Sequence, residues 1–183
     1  MYPKFLIYTL LMSASFPLFA QVYGGQNSLK ISASGTQQST LIESGQLVTN
    51  YVLDQHRITL MVKTDAMKLN QTAMAQSILE EVLQVSGNPL LLIQLDLAGL
   101  GITDNAAASY ANAQVPFLVR YNNAIYRGTA TASLTLGPEE VLIDFTAQLP
   151  IQELGLKVGP AHAAHFSDTL TLAVEGGTAV FKY

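Results

Sequence analysis

Apolar and polar residues alternate along most of the chain from Ser28 onward. In the stretch Arg57–Lys63, Ile58, Leu60 and Val62 take every second position, and the positions between them are polar apart from Met61. Successive side chains of a strand point to opposite faces, so a period of two predicts a strand with one buried face. The same period recurs over 141–149 and 169–175.

Shorter runs with strand-forming composition complete the pattern. They are predicted at 29–33, 45–53, 90–97, 115–121, 126–136 and 178–183. Turn signals separate the runs at Ser34-Gly35, Asn122-Asn123, Gly137-Pro138 and Gly176-Gly177. The pattern therefore predicts an all-β domain of eight or nine antiparallel strands.

Two segments break the alternation. Between Asn70 and Pro89, apolar residues recur at helical spacing, which predicts one short amphipathic helix. That helix serves either as a lid over one end of a barrel or simply as a closure of the core. The segment 97–115 is rich in Gly, Ala, Asn and Ser, which predicts a mobile surface loop.

The N-terminal segment has the features of a targeting sequence. Lys4 precedes an interrupted apolar run that ends at Ala20, a pattern typical of a cleaved signal peptide. The alternative is an uncleaved anchor. Cleavage leaves one domain, residues 21–183, which we expect in the periplasm or secreted, with no stable membrane anchor. The chain has no cysteine, so neither disulfides nor a lipidated cysteine can contribute.

Composition and motifs argue against several functional classes. Thirteen acidic residues against nine basic ones give a net charge of −4, and the chain after residue 20 lacks the clustered Lys and Arg in sequence that nucleic-acid binding requires. There is no Gly-x-Ser-x-Gly turn and no glycine-rich phosphate loop. The carboxylate pairs Glu80-Glu81 and Glu139-Glu140 point apart on either a helix or a strand. We therefore expect no enzymatic activity and no cofactor.

The stretch 153–168 concentrates polar residues and holds His162 and His165. Two histidines three positions apart could bind a metal only with further ligands, for which Asp168 is the local candidate. The alternative, which we favour, is a connection between two strands, with Leu154 and Leu156 tucked beneath it and the histidines facing solvent or touching the polar end of a ligand.

The C-terminal third also carries a resemblance. The segments "IQELGLKV" and "SDTLTLAVEG", together with "ITLMVKTDAMKL", "NPLLLIQL" and the opening "SASGTQQSTL", resemble in order the YceI-like family of exported lipid-binding proteins. The resemblance implies an eight-stranded antiparallel, lipocalin-like β-barrel that holds an isoprenoid or fatty chain. An eight-stranded barrel has an interior just wide enough for side chains or one small ligand.

Alternation around such a barrel assigns nine apolar residues to its interior as candidate ligand-binding residues. They are Ile58, Leu60, Val62, Phe117, Val119, Ile143, Phe145, Leu170 and Leu172. Two alternatives remain open. One is a structural or interaction domain with a solid barrel core and the 97–115 loop as its working surface. The other is a small outer-membrane barrel, suggested by the aromatic C-terminal strand.

Overall fold

The computed structural model describes residues 22–34, 39–69, 90–103, 107–160, 163 and 167–182. The predicted signal peptide and the predicted helix lie outside these residues, as do His162 and His165. Nine strands are present in this part of the chain: β1 (Val22–Ser34), β2 (Ser39–Val52), β3 (Arg57–Lys63), β4 (Lys68–Leu69), β5 (Leu90–Asp96), β6 (Ala108–Tyr121), β7 (Ala124–Leu136), β8 (Glu140–Pro150) and β9 (Thr169–Lys182).

The strands form one closed antiparallel barrel. The order of hydrogen-bonded neighbours is β1, β9, β8, β7, β6, β5, β3, β2, and β2 returns to β1. The two-residue strand β4 pairs with β2 through Ile42 and Glu43. The predicted eight-stranded barrel is therefore confirmed.

Alternate residues of every long strand point into the barrel and form its core. Leu60 lies opposite Ile93, and Ile93 lies opposite Val119, so three neighbouring strands contribute one row of fully buried aliphatic side chains. The outward positions of β8 are exposed from Glu140 to Gln148, whereas its inward positions are all buried. The period of two in the sequence therefore predicts which face of each strand points into the barrel.

Two predicted connections are confirmed. Asn122 and Asn123 form the two-residue turn between β6 and β7, and Asn122 has a φ of 52°, which asparagine tolerates better than most residues. Gly137 begins the turn between β7 and β8, where its backbone N–H donates to the Glu140 carbonyl over 2.9 Å.

The predicted turn at Gly176-Gly177 is wrong. Both glycines lie inside β9, where the pairing with β8 shifts register between Ile143 and Phe145. Gly176 has a φ of 59°, and its N–H donates to the Asp144 carboxylate, so the pair forms a β-bulge that bends a continuous strand. The two glycines therefore mark a bulge within one strand, and the chain does not reverse its direction there.

The predicted 97–115 loop is wrong in its second half. The strand β6 begins at Ala108 and pairs with the end of β7, with Ala108 opposite Leu136 and Tyr110 opposite Leu134. Backbone hydrogen bonds to an existing strand stabilise this segment in spite of its small, polar side chains. The described residues 97–103 follow an irregular path, with a short 3₁₀ turn at Ala98–Leu100.

The stretch 151–168 connects β8 to β9, as the sequence predicted. The Ile151 N–H donates to the Asp168 carbonyl over 2.9 Å and closes the base of this connection. Leu154 and Leu156 are both buried beneath it. None of the helical turns in the described part of the chain is long and apolar enough to span a bilayer.

Candidate functional site

The nine predicted interior residues all lie inside the barrel. Each is at most 3% exposed, and they come from the inward faces of β3, β6, β8 and β9. Six of them belong to the buried core cluster and are at most 2% exposed, namely Ile58, Leu60, Val62, Val119, Ile143 and Phe145. Leu170 and Leu172 reach a small cavity near one end. Their role in binding a ligand remains a prediction.

This cavity, which we call the inner cavity, lies at the end of the barrel where β8 enters its connection to β9. Its lining is hydrocarbon except for two side chains that carry hydroxyls. The lining residues are Ile31, Thr64, Met67, Leu91, Tyr121, Leu149, Leu154, Leu156, Leu170 and Leu172. The free space between them is about 10 Å³, which is close to the room that one water molecule needs.

Among the described residues, turns rather than strands close the inner cavity. Met67 follows the 3₁₀ turn Thr64–Ala66, and Leu154 ends the 3₁₀ turn Gln152–Leu154, after which Leu156 points back into the barrel. Short turns have fewer and poorer backbone hydrogen bonds than barrel strands. This end of the barrel can therefore open at a lower cost than the wall.

Tyr121 places a polar atom in this apolar surrounding. Its side chain is 2% exposed, and its hydroxyl has no partner with ordinary hydrogen-bond geometry among the described residues. Burial raises the pKa of Tyr121 to about 12, and the Thr64 side chain lowers that pKa in part by hydrogen bonding. A buried tyrosine hydroxyl in an apolar surrounding is suited to bond the polar group of a ligand.

The opposite end of the barrel is closed by aromatic side chains. The ring of Tyr23 lies 5.6 Å from that of Tyr51 and 5.4 Å from that of Phe181. The Tyr23 hydroxyl donates to the backbone carbonyls of Gly137 and Pro138 over 3.4 and 3.3 Å. The free space at this end is about 20 Å³. Packed rings bonded to the β7–β8 turn therefore fill this end of the barrel.

The described residues offer an apolar surface rather than a set of reactive groups. They contain no group of three or more His, Cys, Asp or Glu side chains close enough to hold a metal ion. Glu139 and Glu140 are exposed. The chemistry that this arrangement supports is burial of hydrocarbon, with Tyr121 and Thr64 as its polar positions.

Sequence reasoning missed most residues that line the inner cavity. Tyr121 continues the inward phase of Phe117 and Val119, and Leu91 continues that of Ile93, so extending the period of two by one more step would have identified both. Thr64 and Met67 lie in and after a 3₁₀ turn, where no period signals which side chains point inward.

Comparison with solved structures identifies the fold. The chain superposes on a polyisoprenoid binding domain from Saccharophagus degradans implicated in plant cell wall breakdown, with a TM-score of 0.66 and 8% identity over 90% of this chain and 99% of that one. It also superposes on Burkholderia cenocepacia BcnA, with a TM-score of 0.50 and 8% identity over 85% of this chain and 96% of that one.

No protein-family model and no curated protein matches the sequence. At 8% identity the two structural likenesses show a shared fold. The shared fold is the eight-stranded antiparallel barrel that the resemblance in the sequence implied. The chain is thus an eight-stranded closed antiparallel barrel that shares its fold with the polyisoprenoid binding domain of Saccharophagus degradans.

Proposed function

We propose that the protein is an exported, non-enzymatic binding protein that carries one apolar chain, an isoprenoid or a fatty chain, inside its barrel. The observation that carries the proposal is a closed barrel of this fold with an interior of hydrocarbon side chains. The buried polar residues in the described part are only Ser44, Thr49 and Thr64, apart from the tyrosines. An interior of this kind favours a ligand that is itself hydrocarbon.

The ligand would enter at the inner cavity. A long chain needs a few hundred cubic ångströms, far more than the 10 Å³ that is free there. Binding therefore requires Met67, Leu154 and Leu156 to move outward and give up their places to the ligand. The polar end of the ligand would then accept or donate a hydrogen bond at Tyr121.

Close packing of the described interior favours a second candidate function. Free spaces of about 10 and 20 Å³ at the two ends are what a solid barrel shows. In that case the protein is a structural or interaction domain, and the segment 97–115, whose second half lies in β6, is its working surface. The two candidates differ in one property, namely whether hydrocarbon can displace the turns at the inner cavity.

The outward faces weigh against the outer-membrane alternative. The outward residues of β8 include Asp144, Thr146 and Gln148, all exposed. A barrel in lipid carries an apolar band outside and polar residues inside, which is the reverse of this arrangement.

The proposal includes export through residues 1–20. The mass of protein isolated from the host tests export, and a chain that begins at Gln21 is expected.

A titration with polyprenols of increasing length tests ligand binding. Delipidated protein is expected to bind them in a 1:1 ratio, and Leu156→Trp is expected to weaken binding at least tenfold because the larger ring fills the inner cavity. Leu142→Trp is the matched control, since Leu142 is 41% exposed on the outer face of β8. No binding by the native protein, or an equal loss in both variants, would support the solid barrel instead.

A further inference from the structure

The three arginines of the chain, Arg57, Arg120 and Arg127, line one groove on the outside of the barrel. The groove has a volume of about 420 Å³ and runs across the outer faces of β3, β5, β6 and β7. All three side chains are exposed. Arg120 and Arg127 lie on one hairpin, and the pairing of β3 with β5 and of β5 with β6 brings the distant Arg57 to the same face.

Strand register explains how two of them come to face one site. Arg120 on β6 lies opposite Ile125 on β7, and Arg127 lies two residues beyond Ile125 on the same face. Residues on such a diagonal are about 7–8 Å apart at Cα, a spacing that long side chains bridge easily. Two guanidinium groups can therefore contact one phosphate. A guanidinium group binds a phosphate through two parallel hydrogen bonds.

The groove carries an excess of positive charge. Asp96, opposite Arg57, is the only carboxylate among its lining residues. No ion pair joins any of the three arginines to another described residue, whereas Lys30 and Glu175 do pair, at 2.6 Å, elsewhere on the surface. Like charges held side by side destabilise a sheet unless an anion lies between them. The protein as a whole has a net charge of −4, so the positive charge of the groove is opposite in sign to the net charge.

Exposed apolar side chains flank the groove on the same outer face. Ile125 is 47% exposed and Leu90 is 42% exposed, and Lys63 lies opposite Leu90. Arginines bordered by exposed aliphatic residues match the layered chemistry of a bilayer surface, where anionic head groups cover hydrocarbon. A soluble anion would not use the aliphatic residues.

We propose that this outer groove docks the protein on a membrane surface that carries anionic phospholipids. The guanidinium groups bind the lipid phosphates, and Ile125 and Leu90 contact the hydrocarbon boundary. The proposal concerns the outer surface and goes beyond the proposed ligand binding, because docking can be measured with protein that holds no ligand.

Sedimentation with vesicles tests the proposal. The purified protein is mixed with vesicles of phosphatidylcholine alone or with added phosphatidylglycerol, at low and at high salt. Binding is expected only to the anionic vesicles and is expected to fall with salt. In R57Q/R120Q/R127Q the affinity is expected to fall roughly 100-fold, since each basic residue near an anionic surface contributes roughly fivefold.

The matched control is K30Q/K68Q/K157Q, which also loses three positive charges, but from other parts of the surface. Its affinity for anionic vesicles is expected to stay within about threefold of that of the native protein, as screened charges distant from the contact contribute little. The double variant R120Q/R127Q is expected to show an intermediate loss of affinity for anionic vesicles. It replaces the triple variant in the test if the triple variant is unstable. Thermal unfolding of every variant checks that the fold is intact.

Three results would overturn the proposal. The first is the absence of binding to anionic vesicles by the native protein. The second is an equal loss in the arginine and lysine variants, which would indicate overall charge rather than the groove. The third is binding of inorganic phosphate without binding of vesicles, which would make the groove a site for small anions.

Discussion

The carboxamide of Asn27 bonds both backbone groups of Thr178: its Oδ1 accepts from the Thr178 N–H, and its Nδ2 donates to the Thr178 carbonyl, each over 2.8 Å. Regular pairing of β1 with β9 stops at Gly24 and resumes at Lys30. The side chain thus replaces strand-to-strand hydrogen bonds where the bulge in β9 interrupts them. It also donates to Thr49 on β2, so one residue joins three strands.

Replacing Asn27 by alanine is expected to lower the free energy of unfolding by about 1–3 kcal/mol, because the Thr178 N–H and carbonyl lose their partners. Urea unfolding measures this change. The control is Gln26→Ala, since Gln26 is exposed and makes only a 3.4 Å contact with Gly45. Equal stability of the two variants would show that Asn27 does not hold the strands together.

Gly25 allows β1 to approach β9 closely at the same place. A Cβ built on Gly25 would lie 2.0 Å from the Thr178 carbonyl oxygen, so Gly25→Ala must push the two strands apart. The expected cost is about 1–3 kcal/mol. Gly45→Ala is the control, because a Cβ there meets nothing within 4 Å. A stable Gly25→Ala variant would show that β1 can move away from β9 at no cost.

Leu60 tests the packing of the core. It is fully buried in one row with Ile93 and Val119, so Leu60→Ala is expected to cost about 2–5 kcal/mol. Leu142→Ala, on the exposed face of β8, is expected to cost under about 0.5 kcal/mol. A small loss at Leu60 in thermal or urea unfolding would contradict the close packing of the described interior.

The raised pKa of Tyr121 predicts that the folded protein loses stability at high pH. Its pKa in the folded protein is raised to about 12, whereas a tyrosine in an unfolded chain has a pKa of about 10. Below pH 10 the neutral form prevails in both states; between pH 10 and 12 only the unfolded chain releases the proton, so stability falls as the pH rises. Tyr121→Phe is expected to lose less stability over this interval than the native protein.

Absorbance titration of tyrosinate provides the direct measurement. Subtracting the titration curve of Tyr121→Phe from that of the native protein isolates the one hydroxyl that the variant lacks. A difference curve centred near 12 is expected. If the curve is centred near 10, the Tyr121 hydroxyl is in contact with water, and the inner cavity is not the closed, apolar site described above.

The sequence predicted the inside of the barrel better than its connections. Period-two alternation correctly placed all nine interior candidates, because one face of each strand must be apolar wherever a single core is buried. It failed where small residues form strands, as from Ala108 onward. There the stability comes from pairing with β7, a contact between distant segments that local composition does not reveal.

The site itself was predicted in part. Leu170 and Leu172 were assigned correctly to the interior, but the residues that close the inner cavity come from the 3₁₀ turns at Thr64–Ala66 and Gln152–Leu154. Short turns have no hydrophobic period to read. The arginine groove was also invisible in the sequence, since its members lie 63 and 7 positions apart along the chain. Both sites depend on contacts between segments that are distant in sequence.

Native mass spectrometry of the protein purified from its own host, followed by organic extraction, tests the central claim most directly. We predict one extra mass per chain, in the range of a polyisoprenoid or fatty compound, that the extraction removes and identifies. A protein whose mass equals that of its polypeptide alone, and that takes up no added polyprenol after extraction, would contradict the account and establish a solid barrel.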